Sequence, residues 1–356
     1  YPALTVLREL KNNDIETLWV GGTGGMEAEL VQREGIAFES IPAAGVHGVG
    51  LKKLPGNILN LLKGMIKSRQ ILKQFKPDVL LFTGGYVAVP MAMVATHFPS
   101  VLFVPDIEPG MALKLITRFA NKIAVPNDES LKYFSEHDQK KVAITGYPTK
   151  PELGTMSKEE ARGVFNLTEG CPVVLVFGGS KGAQTINRAL VPILPSLLEK
   201  YQVLHITGNF NWEEMQSKTR TLQDNPNYHV FPYLHEEMTA ALKAADLIVS
   251  RAGASTLGEY PILETPSILV PYPFAWRYQK VNADYLTNQG AARFLPDEQM
   301  PIQLEQYIDE IFYDPDQYLA MQQSLESLKV PEAARNIADL LTGFGERTGD
   351  GRREKP

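Results

Sequence analysis

Cysteine is nearly absent: Cys171 is the only one in 356 residues. That excludes an internal disulfide framework and a cysteine-rich zinc site, and it suits a reducing compartment. An excess of positive charge is lacking too, with 35 Lys and Arg against 41 Asp and Glu and a net charge of −6. General nucleic-acid binding, which needs a basic face, is therefore not expected. A long uninterrupted apolar run is also missing. No charge occurs over 79–105, a length that would span a bilayer, but Gly84, Gly85, Pro90, His97 and Pro99 punctuate it. The stretch reads as strand, loop, short helix and strand. No signal peptide is expected at the start of this sequence, where Tyr1-Pro2-Ala3-Leu4 leads straight into an amphipathic helix. An initiator Met is lacking, and the chain is expected to begin downstream of a natural N-terminus.

What is present is plentiful aliphatic sequence, 44% hydrophobic residues, enough for two domains with sizeable cores. Short apolar runs predict strands at 16–20, 38–41, 79–82, 101–104, 123–125 and 142–145. In the second half they fall at 173–177, 203–207, 229–231, 247–250, 267–270 and 292–295. Helical periods lie between them, as at 30–33, 187–200 and 237–244. Unbroken β-branched strands joined by helical crossovers imply parallel sheets covered on both faces. The pattern occurs twice, so the fold class is α/β with two Rossmann-like, doubly wound domains. Their boundary is expected at Gly146-Tyr147-Pro148-Thr149-Lys150-Pro151. This gives a first domain over 1–147 and a second over 148–342, whose last helix (333–341) is able to pack back on the first. A polar, disordered tail is expected over 343–356. Open α/β sheets bind ligands at the carboxyl ends of their strands, so the expected site is a cleft between the sheets.

Four glycine-rich turns follow predicted strands: Gly21-Gly22-Thr23-Gly24-Gly25, Thr83-Gly84-Gly85-Tyr86, Gly178-Gly179-Ser180-Lys181-Gly182-Ala183 and Arg251-Ala252-Gly253-Ala254-Ser255-Thr256. Glycine lets a backbone approach an anion, and the next helix offers N–H donors and a positive dipole end. Glycine also serves plain strand-to-helix packing, but two such turns in one domain favour a phosphate. None has the spacing of a P-loop or of GxGxxG, so a nicotinamide cofactor is not favoured. Glu259, eight residues beyond Arg251, fits either a solvated helix face or the acceptor of a ribose diol. Gln279 and Asn282 share a helix face three residues apart, which suits sugar hydroxyls or an ordinary polar surface. Asp314-Pro315-Asp316 sits in a proline turn and is not read as a metal motif; no metal or other cofactor is expected.

The turns and their neighbours resemble the MurG family of peptidoglycan N-acetylglucosaminyltransferases, which have the GT-B fold. The second half carries the Gly178–Ala183 turn, Ser250-Arg251-Ala252-Gly253-Ala254-Ser255-Thr256 with Glu259, Gln279-x-x-Asn282-Ala283 and Gly290-Ala291-Ala292. The first half adds Tyr1-Pro2-Ala3-Leu4, Gly25-Met26-Glu27-Ala28-Glu29, Thr83-Gly84-Gly85-Tyr86-Val87 and Thr145-Gly146-x-Pro148. The likeness runs to about Leu341. It also implies that Gly21–Gly25 matches the family's second strand exit. A first strand, with its glycine loop and histidine, is then expected immediately upstream of Tyr1.

The resemblance implies a UDP-sugar donor held by the second domain. Its binding residues would be Lys150, Ser180, Arg251, Gly253, Ala254, Ser255, Thr256, Leu257, Gly258, Glu259, Gln279 and Asn282. Among these, Ala254, Ser255 and Thr256 would donate to the phosphates, Glu259 would take the ribose and Gln279 the sugar. Gly84, Gly85 and Tyr86 would face the acceptor. Inverting transfer needs a general base, with Asp106 and Glu108 as candidates. The family's His-Glu-Gln-Asn run is replaced here by Val104-Pro105-Asp106-Ile107-Glu108-Pro109-Gly110, its Gln pair by Tyr278-Gln279, and its Gly-Asn-Pro turn carries Tyr147. Lys150 stands where the family has Arg. These departures leave the donor nucleotide half intact and alter the positions that read the sugar and the acceptor.

The implied reaction moves N-acetylglucosamine from UDP-N-acetylglucosamine to a polyprenyl-linked muramyl-peptide lipid at the cytoplasmic face of the membrane. Lys52, Lys53, Lys63, Lys67, Arg69, Lys73 and Lys76 occur without an acid among them, beside Leu59, Leu62 and Ile66. That segment suits either a sheet-covering helix or peripheral contact with an anionic bilayer. Alternatives are a related transferase acting on diacylglycerol or another lipid, a UDP-sugar 2-epimerase, and a non-catalytic nucleotide-sugar-binding subunit.

Overall fold

The computed structural model describes residues 1–10, 15–25, 27–43, 54–179, 182–273 and 276–344. The chain divides into two units, one of Tyr1–Pro148 with Glu332–Pro356 and one of Thr149–Pro331.

The first unit holds β1 (Leu18–Gly22), β2 (Ala37–Ile41), β3 (Leu80–Phe82), β4 (Ser100–Phe103), β5 (Lys122–Val125) and β6 (Val142–Ile144). β1 and β2 pair in parallel, and β3-β4-β5-β6 form a second parallel sheet. Every residue of β4 is buried, as expected of a strand covered on both faces. Its side chains alternate. Leu102, with Val104, Ile123 and Val125, packs on Ile71, Leu72 and Phe82. Val101, Phe103 and Ala124 pack on Val6 and Leu10 of helix Pro2–Leu10 and on Ile337, Ala338 and Leu341 of helix Ala333–Thr342. Asn336 Nδ2 donates to Thr145 O at 3.1 Å, tying that last helix to the end of β6. The uncharged stretch resolves into β3, the short helix Ala88–Val94 and β4. Among the described residues, no helix is long and apolar enough to cross a membrane.

The second unit holds β7 (Val173–Phe177), β8 (Gln202–Ile206), β9 (Tyr228–Phe231), β10 (Leu247–Ser250), β11 (Ser267–Leu269) and β12 (Ala292–Phe294). They form one parallel sheet in the order β12-β11-β10-β7-β8-β9. The chain runs outward from β7 to β9, returns to the middle at β10, and runs outward again to β12. The order reverses between β7 and β10, the switch point where an open α/β sheet leaves a crevice at its carboxyl ends.

All twelve predicted strands are present, with ends displaced by two residues at most. The helix expected over 187–200 is broken. It becomes an α-helix at Gln184–Leu190, a 3₁₀ turn at Val191–Ile193 and a short helix at Leu194–Leu197. Pro192 and Pro195 cause this, since each lacks the N–H that a continuing helix needs.

Polar groups fasten this sheet at its amino ends and within its core. At the amino ends, the Asp246 carboxylate accepts from Lys158 Nζ at 2.5 Å, Arg162 Nη2 at 2.7 Å and Val173 N at 2.7 Å. Within the core, fully buried His205 meets Tyr228 OH at 2.9 Å and Asn187 Oδ1 at 3.0 Å. Asn187 Nδ2 in turn donates to Thr207 O at 2.8 Å. Burial pushes the His205 imidazole down to about 3, so it is neutral at pH 7.

Candidate functional site

The carboxyl ends of β7 and β10 lead into two of the four glycine turns. After β7 the glycines are demanded by the fold itself. A Cβ on Gly178 would lie 2.1 Å from Ala183 N, and one on Gly182, at φ 74°, would lie 2.5 Å from Thr207 O. Ser180 lies outside the described residues.

The turn after β10 is different. Gly253 has no positive φ, and a Cβ there would meet nothing within 4 Å. The fold does not require glycine at this point, so a side chain would only fill the open space before the turn. Helix Thr256–Leu263 follows. The N–H groups of Thr256, Leu257, Gly258 and Glu259 donate to the carbonyls of Gly253, Ala254, Ser255 and Ser255. Those of Gly253, Ala254 and Ser255 meet no acceptor among the described residues. Three donors therefore remain at the positive end of this helix.

The Thr256 hydroxyl, expected among the phosphate donors, donates in this structure to Gly253 O at 2.7 Å. Leu257 and Gly258 are buried. Glu259 is half-buried one helical turn from the three N–H groups. Burial pushes its carboxyl up to about 7, against a hydrogen bond from Ser255 and the charge of Lys150, which both pull it down. The Lys150 ammonium thus acts on Glu259 across 109 residues of sequence.

Arg251 has other partners than the sequence reading gave it. Its Nη1 donates to Val270 O at 3.0 Å and to Asp297 Oδ1 at 2.6 Å, and its Nη2 to Thr185 Oγ1 at 2.7 Å. The guanidinium also lies 5.3 Å from the Tyr272 ring centroid. Asn282 is fully buried and its Nδ2 donates to Ala252 O at 3.2 Å. Gln279 Oε1 accepts from Tyr272 N at 2.8 Å. Gln279 and Asn282, expected to suit either sugar hydroxyls or an ordinary polar surface, brace the turns after β11 and β10 through these bonds. Thr185, Asp297 and Tyr272 were not singled out from the sequence. Asp297 carried one usable signal, since it follows Leu295-Pro296 just beyond a predicted strand, at the end where such sheets place ligands.

In the first unit, Gly84 and Gly85 turn the chain after β3 and leave Tyr86 exposed. Asp106 and Glu108 lie just beyond β4. Glu108 is buried and paired with Lys114 Nζ at 3.2 Å, whereas Asp106 is half-buried. Asp314 caps helix Pro315–Ser327, accepting from Gln317 N at 3.0 Å, so its carboxylate has a structural task. Of the basic segment, Lys52 and Lys53 lie outside the described residues. Helix Leu54–Phe75 carries Lys63, Lys67, Arg69 and Lys73 and exposes Ile58, Leu59, Leu62 and Ile66.

Comparison with known proteins agrees with this architecture. Residues 1–125 match the glycosyltransferase family 28 N-terminal domain and residues 173–337 the glycosyltransferase family 28 C-terminal domain. The UDP-N-acetylglucosamine–N-acetylmuramyl-(pentapeptide) pyrophosphoryl-undecaprenol N-acetylglucosamine transferase of Listeria welshimeri is 35% identical, over 97% of this chain and 96% of the relative. Its counterpart in Desulfitobacterium hafniense is 36% identical, over 96% of this chain and 94% of the relative. Among solved structures, Acinetobacter baumannii MurG aligns with a TM-score of 0.74 at 23% identity, covering 96% of this chain and 95% of that one. A Neisseria meningitidis UDP-GlcNAc 2-epimerase shares the fold, with a TM-score of 0.67 at 14% identity and 96% of each chain covered. Two family domains in order and relatives matched along almost their whole length decide the assignment: the chain belongs to glycosyltransferase family 28, within its MurG-like group of GT-B enzymes.

Proposed function

We propose that this enzyme moves N-acetylglucosamine from UDP-N-acetylglucosamine to N-acetylmuramyl-(pentapeptide) pyrophosphoryl-undecaprenol, the lipid I to lipid II step of peptidoglycan synthesis. The observation that carries this reading is the turn after β10. Three backbone N–H groups stand at a helix N-terminus before open space at Gly253, with the Glu259 carboxyl one turn further on. A nucleoside diphosphate is matched by that set, with N–H groups for the phosphates and a carboxylate for the ribose diol. Lys150 adds a positive charge that acts on Glu259. The acceptor hydroxyl attacks C1 of the sugar while its proton passes to a base, for which Asp106 is our candidate. The bond from C1 to the phosphate oxygen breaks, and its electron pair leaves with UDP. N–H groups already aimed at the phosphates stabilise that charge without reorganising. The full-length likeness to transferases favours this reading over epimerisation, which the shared fold alone would also allow. UDP release that depends on added lipid acceptor is the expected result; UDP release or C2 exchange without acceptor would favour an epimerase.

Contact with the membrane is proposed through helix Leu54–Phe75 at the cytoplasmic surface. At 100° per residue, Ile58, Arg69, Leu62, Lys73, Ile66, Leu59 and Lys63 fall on one side of that helix, and all four of the apolar residues are exposed. Apolar side chains flanked by cations suit an interface carrying anionic lipid. Co-sedimentation with liposomes is expected to rise with anionic lipid content and to fall in a Leu59→Ser, Leu62→Ser, Ile66→Ser variant. Binding that ignores anionic lipid would count against this contact.

A further inference from the structure

We propose that Arg251, Thr185 and Asp297 form a clasp that sets the spacing of the donor turns, and that Arg251 is a positioning residue and not a phosphate ligand. The inference rests on the donor-site reading above and deepens it. Its basis is a closed triangle of hydrogen bonds. Arg251 donates to Asp297 Oδ1 at 2.6 Å and to Thr185 Oγ1 at 2.7 Å, and Thr185 Oγ1 donates to Asp297 Oδ1 at 2.9 Å. A further bond, Arg251 Nη1 to Val270 O at 3.0 Å, adds the end of β11.

Each corner comes from a different strand end. Arg251 immediately follows β10, Thr185 lies in the first turn of the helix entered from the turn after β7, and Asp297 lies just beyond β12. The clasp therefore spans the switch point, the one place in this sheet where neighbouring crossovers diverge. Backbone hydrogen bonds of the ladder stop at Phe177↔Ser250. Beyond that pair, the clasp is a direct tie between the β10 turn and the helix that follows the β7 turn. The guanidinium is 8% exposed and its planar fork holds two of the partners in fixed directions. Asn282, bonded to Ala252 O, braces the same turn from the next helix.

The role of Asp297 separates this proposal from simple electrostatics. A negative charge beside a diphosphate site weakens an anionic donor by Coulomb repulsion, so removing it should tighten binding if charge alone matters. A clasp predicts the opposite sign. The test is isothermal titration of UDP-N-acetylglucosamine into the parent and into Asp297→Asn, Thr185→Val and Thr185→Ser variants, with folding monitored by circular dichroism. We expect Asp297→Asn to weaken donor binding tenfold or more and Thr185→Val to weaken it at least threefold. Thr185→Ser, which keeps the hydroxyl, should bind like the parent. Weakening by Asp297→Asn and Thr185→Val should be less than additive in the double variant, as for members of one network. In steady state the loss should appear in the donor KM and leave kcat nearly unchanged. Should Asp297→Asn fail to fold, the Thr185 pair decides the matter alone. Equal or tighter binding by folded Asp297→Asn, or equal binding by Thr185→Val and Thr185→Ser, would overturn the clasp. If the parent itself does not bind the donor, the donor-site reading fails instead.

Discussion

Replacing Asp106 with alanine is expected to lower turnover by about 10²–10⁴-fold at saturating substrates, the usual cost of losing a general base. Donor affinity should hardly change, because the groups proposed to bind the nucleotide belong to the second unit. The preference for Asp106 over Glu108 is physical. Glu108 is buried and ion-paired with Lys114 at 3.2 Å, which leaves its carboxylate little access to an acceptor hydroxyl. Asp106, two residues earlier and half-buried beyond the end of β4, is the more accessible of the two. Glu108→Gln should therefore cost stability more than chemistry. Turnover by Asp106→Ala within a few-fold of the parent would remove it as the base.

Glu259→Gln is expected to weaken UDP-N-acetylglucosamine binding by roughly 10–100-fold. Hydrogen bonds to a charged group contribute about 1.5–3 kcal/mol, and about 1.4 kcal/mol is tenfold in affinity. The pH dependence gives a second readout. With the Glu259 carboxyl pushed up to about 7, the ionised form that accepts two ribose hydroxyls is lost as pH falls below 7. Affinity should drop towards pH 6 in the parent and stay flat in Glu259→Gln, as titration calorimetry at several pH values would show. Stability carries the opposite sign for this group. The folded protein keeps a proton on Glu259 that the unfolded chain gives up near 4.5, so the free enzyme loses stability as pH rises through 4.5 to 7. His205 acts the other way, because its folded value of about 3 lies below the unfolded 6.5. Its contribution is complete above 6.5 and falls away as pH drops towards 3. The two nearly oppose each other between 4.5 and 6.5, so only the difference between parent and Glu259→Gln isolates the carboxyl. A flat parent profile would show that Glu259 does not meet the ribose.

The strands were legible because their signal is local. A buried parallel strand needs a short β-branched run between turns, and Val173–Phe177 or Leu247–Ser250 can be read without knowing any partner. The glycine turns were legible for the same reason, although their glycines do different work. Gly178 and Gly182 answer to nearby backbone, whereas Gly253 faces open space, a distinction that composition does not carry. Arg251, beside a glycine turn, and Asn282, on a helix face, have partners that local sequence does not show, because those partners are remote. Asp297 lies 46 residues from Arg251 and Ala252 lies 30 from Asn282. An arginine beside a glycine turn looks the same in sequence whether it holds a phosphate or a neighbouring strand end. Over 187–200 apolar periodicity alone predicts one helix, but Pro192 and Pro195 override it.

Mass spectrometry of the lipid product tests sugar transfer most directly. The enzyme would be incubated with UDP-N-acetylglucosamine and a short-chain analogue of lipid I. A gain of one N-acetylhexosamine on the lipid, matched by an equal amount of UDP, is the predicted result. An unchanged lipid, under conditions where calorimetry shows the donor bound, would contradict the assigned acceptor and point to another lipid. An unchanged lipid with no donor binding would contradict the glycosyltransferase account itself.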